Sequence, residues 1–136
     1  MGTIRKFEDL EVWKEARRLS LCIFNISRGQ FFSRDFRFRD QISASAGSVM
    51  DNIAEGFERS GRLEFINFLS IAKGSCGEVK SQLFRALDQG YITQVEFDEM
   101  YAGYDKLASN IAGFINYLNQ SVIKGQKFKD RKPSSN

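Results

Sequence analysis

The sequence predicts an all-α protein folded as an antiparallel up-down-up-down four-helix bundle. Apolar residues recur at three- and four-residue spacing in four successive segments, which is the period of amphipathic helices. The single proline, Pro133, lies near the C-terminal end and interrupts none of these segments. Hydrophobic residues make up 42% and charged residues 27% of the 136, a globular composition with enough apolar residues for one core. We therefore predict a lead-in over residues 1–8, a bundle over 9–123 and a basic, disordered tail over 124–136.

The first two helices are predicted from their apolar stripes and from the polar residues at their ends. Helix one extends over about Asp9 to Ser27 and stops near Gly29. Helix two starts near Arg34, where Ser33 can provide the N-cap, and ends around Arg59. The predicted core positions are Val12, Ala16, Leu19, Ile23 and Ile26 in helix one, and Phe38, Ile42, Ala46, Val49, Ile53 and Phe57 in helix two.

The remaining two helices follow the break at Ser60 and Gly61. Helix three ends at Gly90, and helix four opens with Thr93 and Glu96, whose spacing is that of a capping box. The apolar positions of helix three include Phe65, Leu69, Ala72, Cys76, Val79 and Leu83, and those of helix four include Phe97, Met100, Tyr104, Leu107, Ile111 and Leu118.

The sequence argues against most enzymatic and membrane functions. It contains no histidine, the commonest general base and metal ligand, and its two cysteines, Cys22 and Cys76, lack the paired spacing of metal or redox sites. We expect both to be buried small side chains, and we expect no metal, no cofactor and no catalytic residue. Neither a signal peptide nor a membrane-spanning apolar stretch is visible, so the predicted location is the cytoplasm.

One long motif carries a family resemblance. Residues 41–59 read QISASAGSVMDNIAEGFER, and further matching positions are FEDL at 7–10, Val12-Trp13, Glu64-Phe65, IAKGS at 71–75 with Glu78, and Gly90-Tyr91-Ile92. Over about Phe7 to Leu118 the chain resembles the four-helix-bundle proteins encoded in intervening sequences of bacterial 23S ribosomal RNA genes. The resemblance implies a homopentamer, similar in structure to the accessory proteins of diversity-generating retroelements, which bind nucleic acid. Relatives often carry basic residues just after Gln41, where this chain has Ser43, Ala44 and Ser45.

Two segments are candidates for nucleic-acid contact. The first helix connection interleaves Arg28, Arg34, Arg37 and Arg39 with four phenylalanines, a mixture that can bind phosphate and stack on unpaired bases. Alternatively, these phenylalanines plug the bundle end or a subunit contact while the arginines stay hydrated. The C-terminal segment has a net charge of +4, which leaves residues 1–123 at −1, and its basic residues are Lys124, Lys127, Lys129, Arg131 and Lys132. A solvated tail without a ligand is the alternative there.

A second face of helices two and three carries small and polar residues at helical spacing. We interpret Gln41, Asn52, Glu55, Gly56, Arg59, Ser75 and Glu78 as a structural or oligomer network in which the two glutamates accept hydrogen bonds. The catalytic alternative treats Glu55 and Glu78 as paired carboxylates for acid-base or metal chemistry. Gly74 and Gly77 lie beside this face and predict a close approach by another element.

The predicted function is that of a non-enzymatic, homo-oligomeric bundle that binds ribosomal RNA or another nucleic acid through its basic surface and tail. An oligomeric scaffold that binds another protein through its apolar and aromatic rim is the alternative. A carboxylate-based enzyme is the third possibility, and it depends on Glu55 and Glu78 acting together.

Overall fold

The computed structural model describes residues 4–131, with side chains described to residue 120. Four helices follow one another: α1 (Glu11–Ile26), α2 (Phe36–Glu58), α3 (Arg62–Asp88) and α4 (Gln94–Arg131). Short 3-10 turns occupy Phe7–Asp9 and Phe32–Arg34. No strand occurs in the described part of the chain, and the predicted all-α, four-helix bundle is confirmed.

The bundle is closed by packing of α2 on α3, α3 on α4, and α1 on both α2 and α4. Contacts between α2 and α3 join Gln41 to Arg85 near one end and Arg59 to Glu64 near the other. Pairing in opposite chain order means that these two neighbouring helices run in opposite directions. Between α3 and α4, Lys80 pairs with Asp105 and Phe65 packs on Phe114, which gives the same opposite order.

The core contains the apolar stripes that the spacing predicted. Ile23, Ile53, Val79 and Ile111, one from each helix, are fully buried. Burial of this kind contributes about 1.5–3 kcal/mol for each large aliphatic side chain, so the four stripes together provide the main stabilisation of the bundle. Among residues 4–131 no helix combines the length and the apolarity that crossing a membrane requires.

The helix ends match the predictions at α4 and differ at α2. Thr93 Oγ1 accepts from the Glu96 amide at 3.1 Å, while Glu96 Oε1 accepts from the Thr93 amide at 2.8 Å, so the predicted capping box is present. The prediction that Ser33 caps α2 is wrong, because Asp35 Oδ1 accepts from the Phe38 amide at 3.2 Å. Ser33 lies in the preceding 3-10 turn and its hydroxyl donates to the Gln30 carbonyl instead.

The C-terminal segment also differs from its prediction. Helix α4 continues to Arg131, so the backbone of residues 124–131 is helical where a disordered tail was expected. No proline precedes Pro133, and lysine, glutamine and arginine are good helix formers, which lets the helix propagate past the last core position. Residues 132–136 of the predicted tail, including Lys132, lie outside the described residues.

Candidate nucleic-acid interface

The four phenylalanines of the α1–α2 connection divide into two kinds. Phe32 and Phe38 are 0% and 3% exposed, whereas Phe31 and Phe36 are 58% and 66% exposed. Sequence reasoning offered a bundle plug or a nucleic-acid surface as alternatives for the whole set. Phe32 and Phe38 are buried at the end of the bundle, as the first alternative requires, whereas Phe31 and Phe36 face solvent.

The buried rings fix the connection to the rest of the bundle. Phe32 stacks on Phe38 and on Tyr91, with ring centroids 5.3 and 5.2 Å apart. The Tyr91 hydroxyl donates to Asp35 Oδ2 at 2.8 Å, and this hydrogen bond raises the pKa of Tyr91. Tyr91 follows α3, so the α1–α2 connection is held against the α3–α4 connection at one end of the bundle.

The exposed aromatic rings lie beside arginines. The guanidinium carbon of Arg34 is 6.0 Å from the centroid of Phe31, and that of Arg39 is 5.0 Å from the centroid of Phe36. Such cation-π contacts contribute about 0.5–1 kcal/mol at exposed sites. Each ring therefore has a positively charged neighbour.

The same arrangement extends onto α1. Arg28 lies 4.8 Å from the centroid of Phe24, a ring that is half exposed at the end of this helix. Sequence reasoning missed Phe24 because it belongs to α1 and not to the connection. Its position four residues before Arg28 on the helix was the available signal.

The predicted arginines differ in how strongly they are held. Arg28, Arg34 and Arg37 are exposed, whereas Arg39 is partly buried. Arg39 forms an ion pair with Asp40 at 3.1 Å and donates to the Ser33 carbonyl at 3.4 Å. The three exposed guanidinium groups are thus available to an anion, while Arg39 is oriented by its own neighbours.

An open groove of about 600 Å³ lies between the end of α1 and the start of α2. It is lined by Phe24, Ser27, Arg28, Ser33, Arg39, Asp40 and Ser43. The groove thus offers guanidinium groups, hydroxyls and one aromatic ring to a ligand, together with the Asp40 carboxylate, which is paired with Arg39. This combination suits a phosphate-containing ligand with a planar group.

The polar face between α2 and α3 forms a compact hydrogen-bonded seam. The hydroxyls of Ser48 and Ser75 are 3.0 Å apart, and Asn52 Nδ2 donates to Ser48 Oγ at 2.9 Å and to the Ser48 carbonyl at 2.8 Å. Asn52 and Ser75 therefore interact through Ser48. The two glutamates were instead the predicted hydrogen-bond acceptors of this network. Ser48 occupies the same helical phase as Asn52, one turn earlier.

The two glutamates of the predicted network lie in different surroundings. Glu55 accepts from Arg59 at 3.0 Å, and Arg59 also reaches Glu64 at 3.7 Å. Glu78 is exposed and has no ion-pair or hydrogen-bond partner among residues 4–120. Gln41 accepts from Arg85 at 3.4 Å, at the other end of the seam.

The glycines of this region differ in what surrounds them. A Cβ on Gly56 would lie 2.6 Å from Phe68 Cβ, so α3 approaches α2 closely at this point. For Gly74 and Gly77, apart from their own helix backbone, no described atom lies within 4 Å of an added Cβ. The close approach predicted at Gly74 and Gly77 is therefore not made by the described part of the same chain.

Possible metal ligands and thiol groups were the remaining candidates for a reactive site. No group of three or more cysteine, aspartate or glutamate side chains that could hold a metal ion is present among them. Burial raises the pKa of the Cys76 thiol to about 12, which keeps it protonated near neutral pH and therefore a poor nucleophile.

These features define a four-helix bundle with an arginine- and phenylalanine-rich connection at one end and a polar seam between its second and third helices. Residues 8–113 match the 23S rRNA-intervening sequence protein family, and the chain belongs to that family.

A solved structure supports the fold. The chain is similar to a protein of unknown function from the S23 ribosomal protein family of Bacteroides thetaiotaomicron VPI-5482, with a TM-score of 0.70 and 21% identity. The likeness covers 76% of this chain and 97% of the other. No curated protein matches the chain significantly.

Proposed function

We propose that the protein is a non-enzymatic, homo-oligomeric bundle that binds nucleic acid through the α1–α2 connection and its basic C-terminal segment. The observation that carries this proposal is that Arg28, Arg34 and Arg37 are exposed in one short segment, with Arg28 and Arg34 beside the exposed rings of Phe24 and Phe31. Structured ribosomal RNA is the first ligand to test, because the family takes its name from 23S rRNA genes.

Electrostatics supports the connection as the binding surface. The segment from Arg28 to Asp40 contains four arginines and two acidic residues. Asp35 already accepts from Tyr91 and from the Phe38 amide, and Asp40 is paired with Arg39. Arginine forks match phosphate oxygens bidentately, so exposed arginines bind nucleic acid even without base-specific contacts. The C-terminal segment adds a further net charge of +4.

The binding test is a fluorescence anisotropy titration of labelled structured RNA at two salt concentrations. Replacing Arg28, Arg34 and Arg37 by glutamine is expected to weaken binding and to reduce the slope of log affinity against log salt by about 2–3. The matched control replaces Arg62, Lys73 and Lys106 by glutamine, which removes the same charge from exposed positions elsewhere. Equal losses in both variants, or no affinity for RNA even at low salt, would contradict the proposed site.

The contribution of the C-terminal segment is separable from that of the connection. A full-length variant with Lys124, Lys127, Lys129, Arg131 and Lys132 changed to glutamine keeps chain length while removing all five positive charges. Such clustered charges strengthen salt-dependent attraction to phosphate, and their effect multiplies when subunits assemble. We expect weaker binding at low salt and little difference from the wild type at high salt.

Self-association is supported by the family resemblance and by the uncovered surface at Gly74 and Gly77. This surface lies beside Ile71, an exposed apolar side chain on α3. The resemblance implies a homopentamer, which light scattering would report as about five times the 15.6 kDa chain. A mass near that of one chain at micromolar concentration would contradict it.

A protein scaffold is the second candidate function. It is favoured by Leu21 and Phe24 on α1, which are exposed and border, together with Met50, a groove of about 640 Å³. A protein partner retained after nuclease treatment and lost on replacing Leu21 by serine would favour the scaffold. Retention that depends on nucleic acid would favour the leading proposal.

A further inference from the structure

Attraction to phosphate accounts for the exposed arginines of the connection, but it assigns no role to the exposed rings of Phe31 and Phe36. Each leaves more than half of its surface in water, although Phe32 and Phe38 show that the same connection can bury rings completely. Phosphate contact needs arginine and gains nothing from a phenyl ring. Two exposed rings, each beside an arginine, provide faces on which planar groups of a ligand can stack.

We propose that this connection binds unpaired nucleotides, whose bases stack on Phe31 and Phe36 while Arg28 and Arg37 contact the adjacent phosphates. The proposal rests on the proposed function and specifies its ligand class: single strands, loops or bulges of nucleic acid, and not continuous duplex.

The arginine beside each ring supports stacking of a base. In both pairs the guanidinium group lies 5–6 Å from the ring centroid, within the range of a cation-π contact. A phenyl ring has two faces, and a cation over one face leaves the other free for a base. Arg39 is moreover fixed by Asp40 and the Ser33 carbonyl, so the Phe36 ring is backed by a group that is already in place.

Duplex fits this surface less well than an unpaired strand does. In a continuous helix the faces of the bases are covered by their neighbours, and A-form RNA has a major groove too deep and narrow for side chains to read. Aromatic rings at the surface can stack only on bases that are splayed out or single-stranded. The adjoining groove, with Phe24 and Arg28 in its wall, continues the same chemistry onto α1.

The experiment compares three labelled ligands that carry the same number of phosphates: oligouridine, an abasic strand and a fully paired duplex. The wild-type protein is expected to bind oligouridine at least tenfold more tightly than either of the others at one salt concentration. A DNA strand of matching sequence tests whether the sugar matters, since stacking on the rings is common to RNA and DNA.

The variants separate ring stacking from apolar contact. Phe31→Ala with Phe36→Ala is expected to weaken oligouridine binding by about tenfold for each ring, while affinity for the abasic strand stays unchanged. Phe31→Leu with Phe36→Leu keeps apolar bulk without the aromatic face and is expected to lose nearly as much. The control pair, Leu63→Ala with Val95→Ala, removes equally exposed apolar side chains elsewhere and is expected to bind as the wild type does.

The outcomes distinguish this inference from the function on which it rests. If the abasic strand and the duplex bind as tightly as oligouridine, or if the ring variants retain wild-type affinity, stacking is refuted while nucleic-acid binding stands. If none of the three ligands binds at low salt while structured RNA does, this inference is refuted and the proposed function stands. If structured RNA also fails to bind at low salt, both fail. Circular dichroism of each variant confirms that the bundle is intact.

Discussion

Replacing Gly56 by alanine probes the closest approach between α2 and α3. The added methyl group would lie 2.6 Å from Phe68 Cβ and 3.0 Å from Phe65 Cδ1. Phe68 Cβ is attached directly to the backbone, so it can yield only if α3 itself shifts. Overpacking of this kind costs about 1–3 kcal/mol, and the upper part of that range applies because the atom cannot rotate away.

The overpacking cost of Gly56→Ala is partly offset by the higher helix propensity of alanine. Alanine in a helix interior is about 1 kcal/mol more favourable than glycine, so the expected net loss of unfolding free energy for Gly56→Ala is about 1–2 kcal/mol. Gly47 in the same helix is the matched control, because apart from the helix backbone no described atom lies within 4 Å of its added Cβ. Gly47→Ala is expected to stabilise by about 0.5–1 kcal/mol.

Gly103 provides an intermediate case. Its added Cβ would also lie 2.6 Å from a neighbour, but that neighbour is Leu19 Cδ2, the end of a side chain with rotatable bonds. Urea unfolding followed by circular dichroism should rank the variants Gly47→Ala, Gly103→Ala and Gly56→Ala from most to least stable. All are measured at one protein concentration, because the apparent stability of a self-associating protein depends on concentration. A Gly56→Ala protein at least as stable as the wild type would refute the packing argument.

Three further predictions concern local interactions and are tested by the same unfolding measurement or by thiol chemistry. Tyr91→Phe removes the hydrogen bond to Asp35 and is expected to lower the free energy of unfolding by about 1 kcal/mol. Tyr104→Phe is expected to be neutral or stabilising, because the buried Tyr104 hydroxyl has no partner among residues 4–120. Equal effects of the two substitutions would contradict this reasoning. Thr93→Ala removes one half of the capping box and is expected to cost about 1 kcal/mol, and an unchanged midpoint would show that Glu96 suffices. In a variant that lacks Cys22, Cys76 is expected to react with a thiol reagent far more slowly in the folded than in the urea-unfolded protein. The reason is that burial raises the pKa of the Cys76 thiol to about 12. Rapid reaction of the folded protein would contradict the burial of Cys76.

The helices and their buried stripes were predictable because both depend on local periodicity. Ile53, Val79 and Ile111 are fully buried where spacing placed them, and Thr93 with Glu96 caps α4 as their separation indicated. The cap of α2 was mispredicted because two polar residues, Ser33 and Asp35, compete within three positions. Propensity alone does not reveal that Phe32–Arg34 form a 3-10 turn, which places Ser33 ahead of the first turn of α2.

The candidate interface was predictable in composition and not in geometry. The sequence shows four arginines interleaved with four phenylalanines, but not which rings are buried. That division depends on Tyr91, which reaches Phe32 and Asp35 from another connection of the bundle. In the polar seam, helical phase puts Asn52 on the same side of α2 as Ser48, whereas the contact of Ser48 with Ser75 depends on the axial register of α3 against α2.

Tyr91 contacts Phe32 and Asp35 across a long stretch of chain, 56 residues in the case of Asp35, and we expect these contacts to form late in folding. Closing so long a loop carries an entropic cost that the intervening helices must first offset by docking. The exposed rings and arginines of the connection should therefore acquire their arrangement after the helices have assembled, and a peptide covering α1 and α2 alone should not present it. A nascent chain would gain this surface only once α4 has begun to emerge from the ribosome.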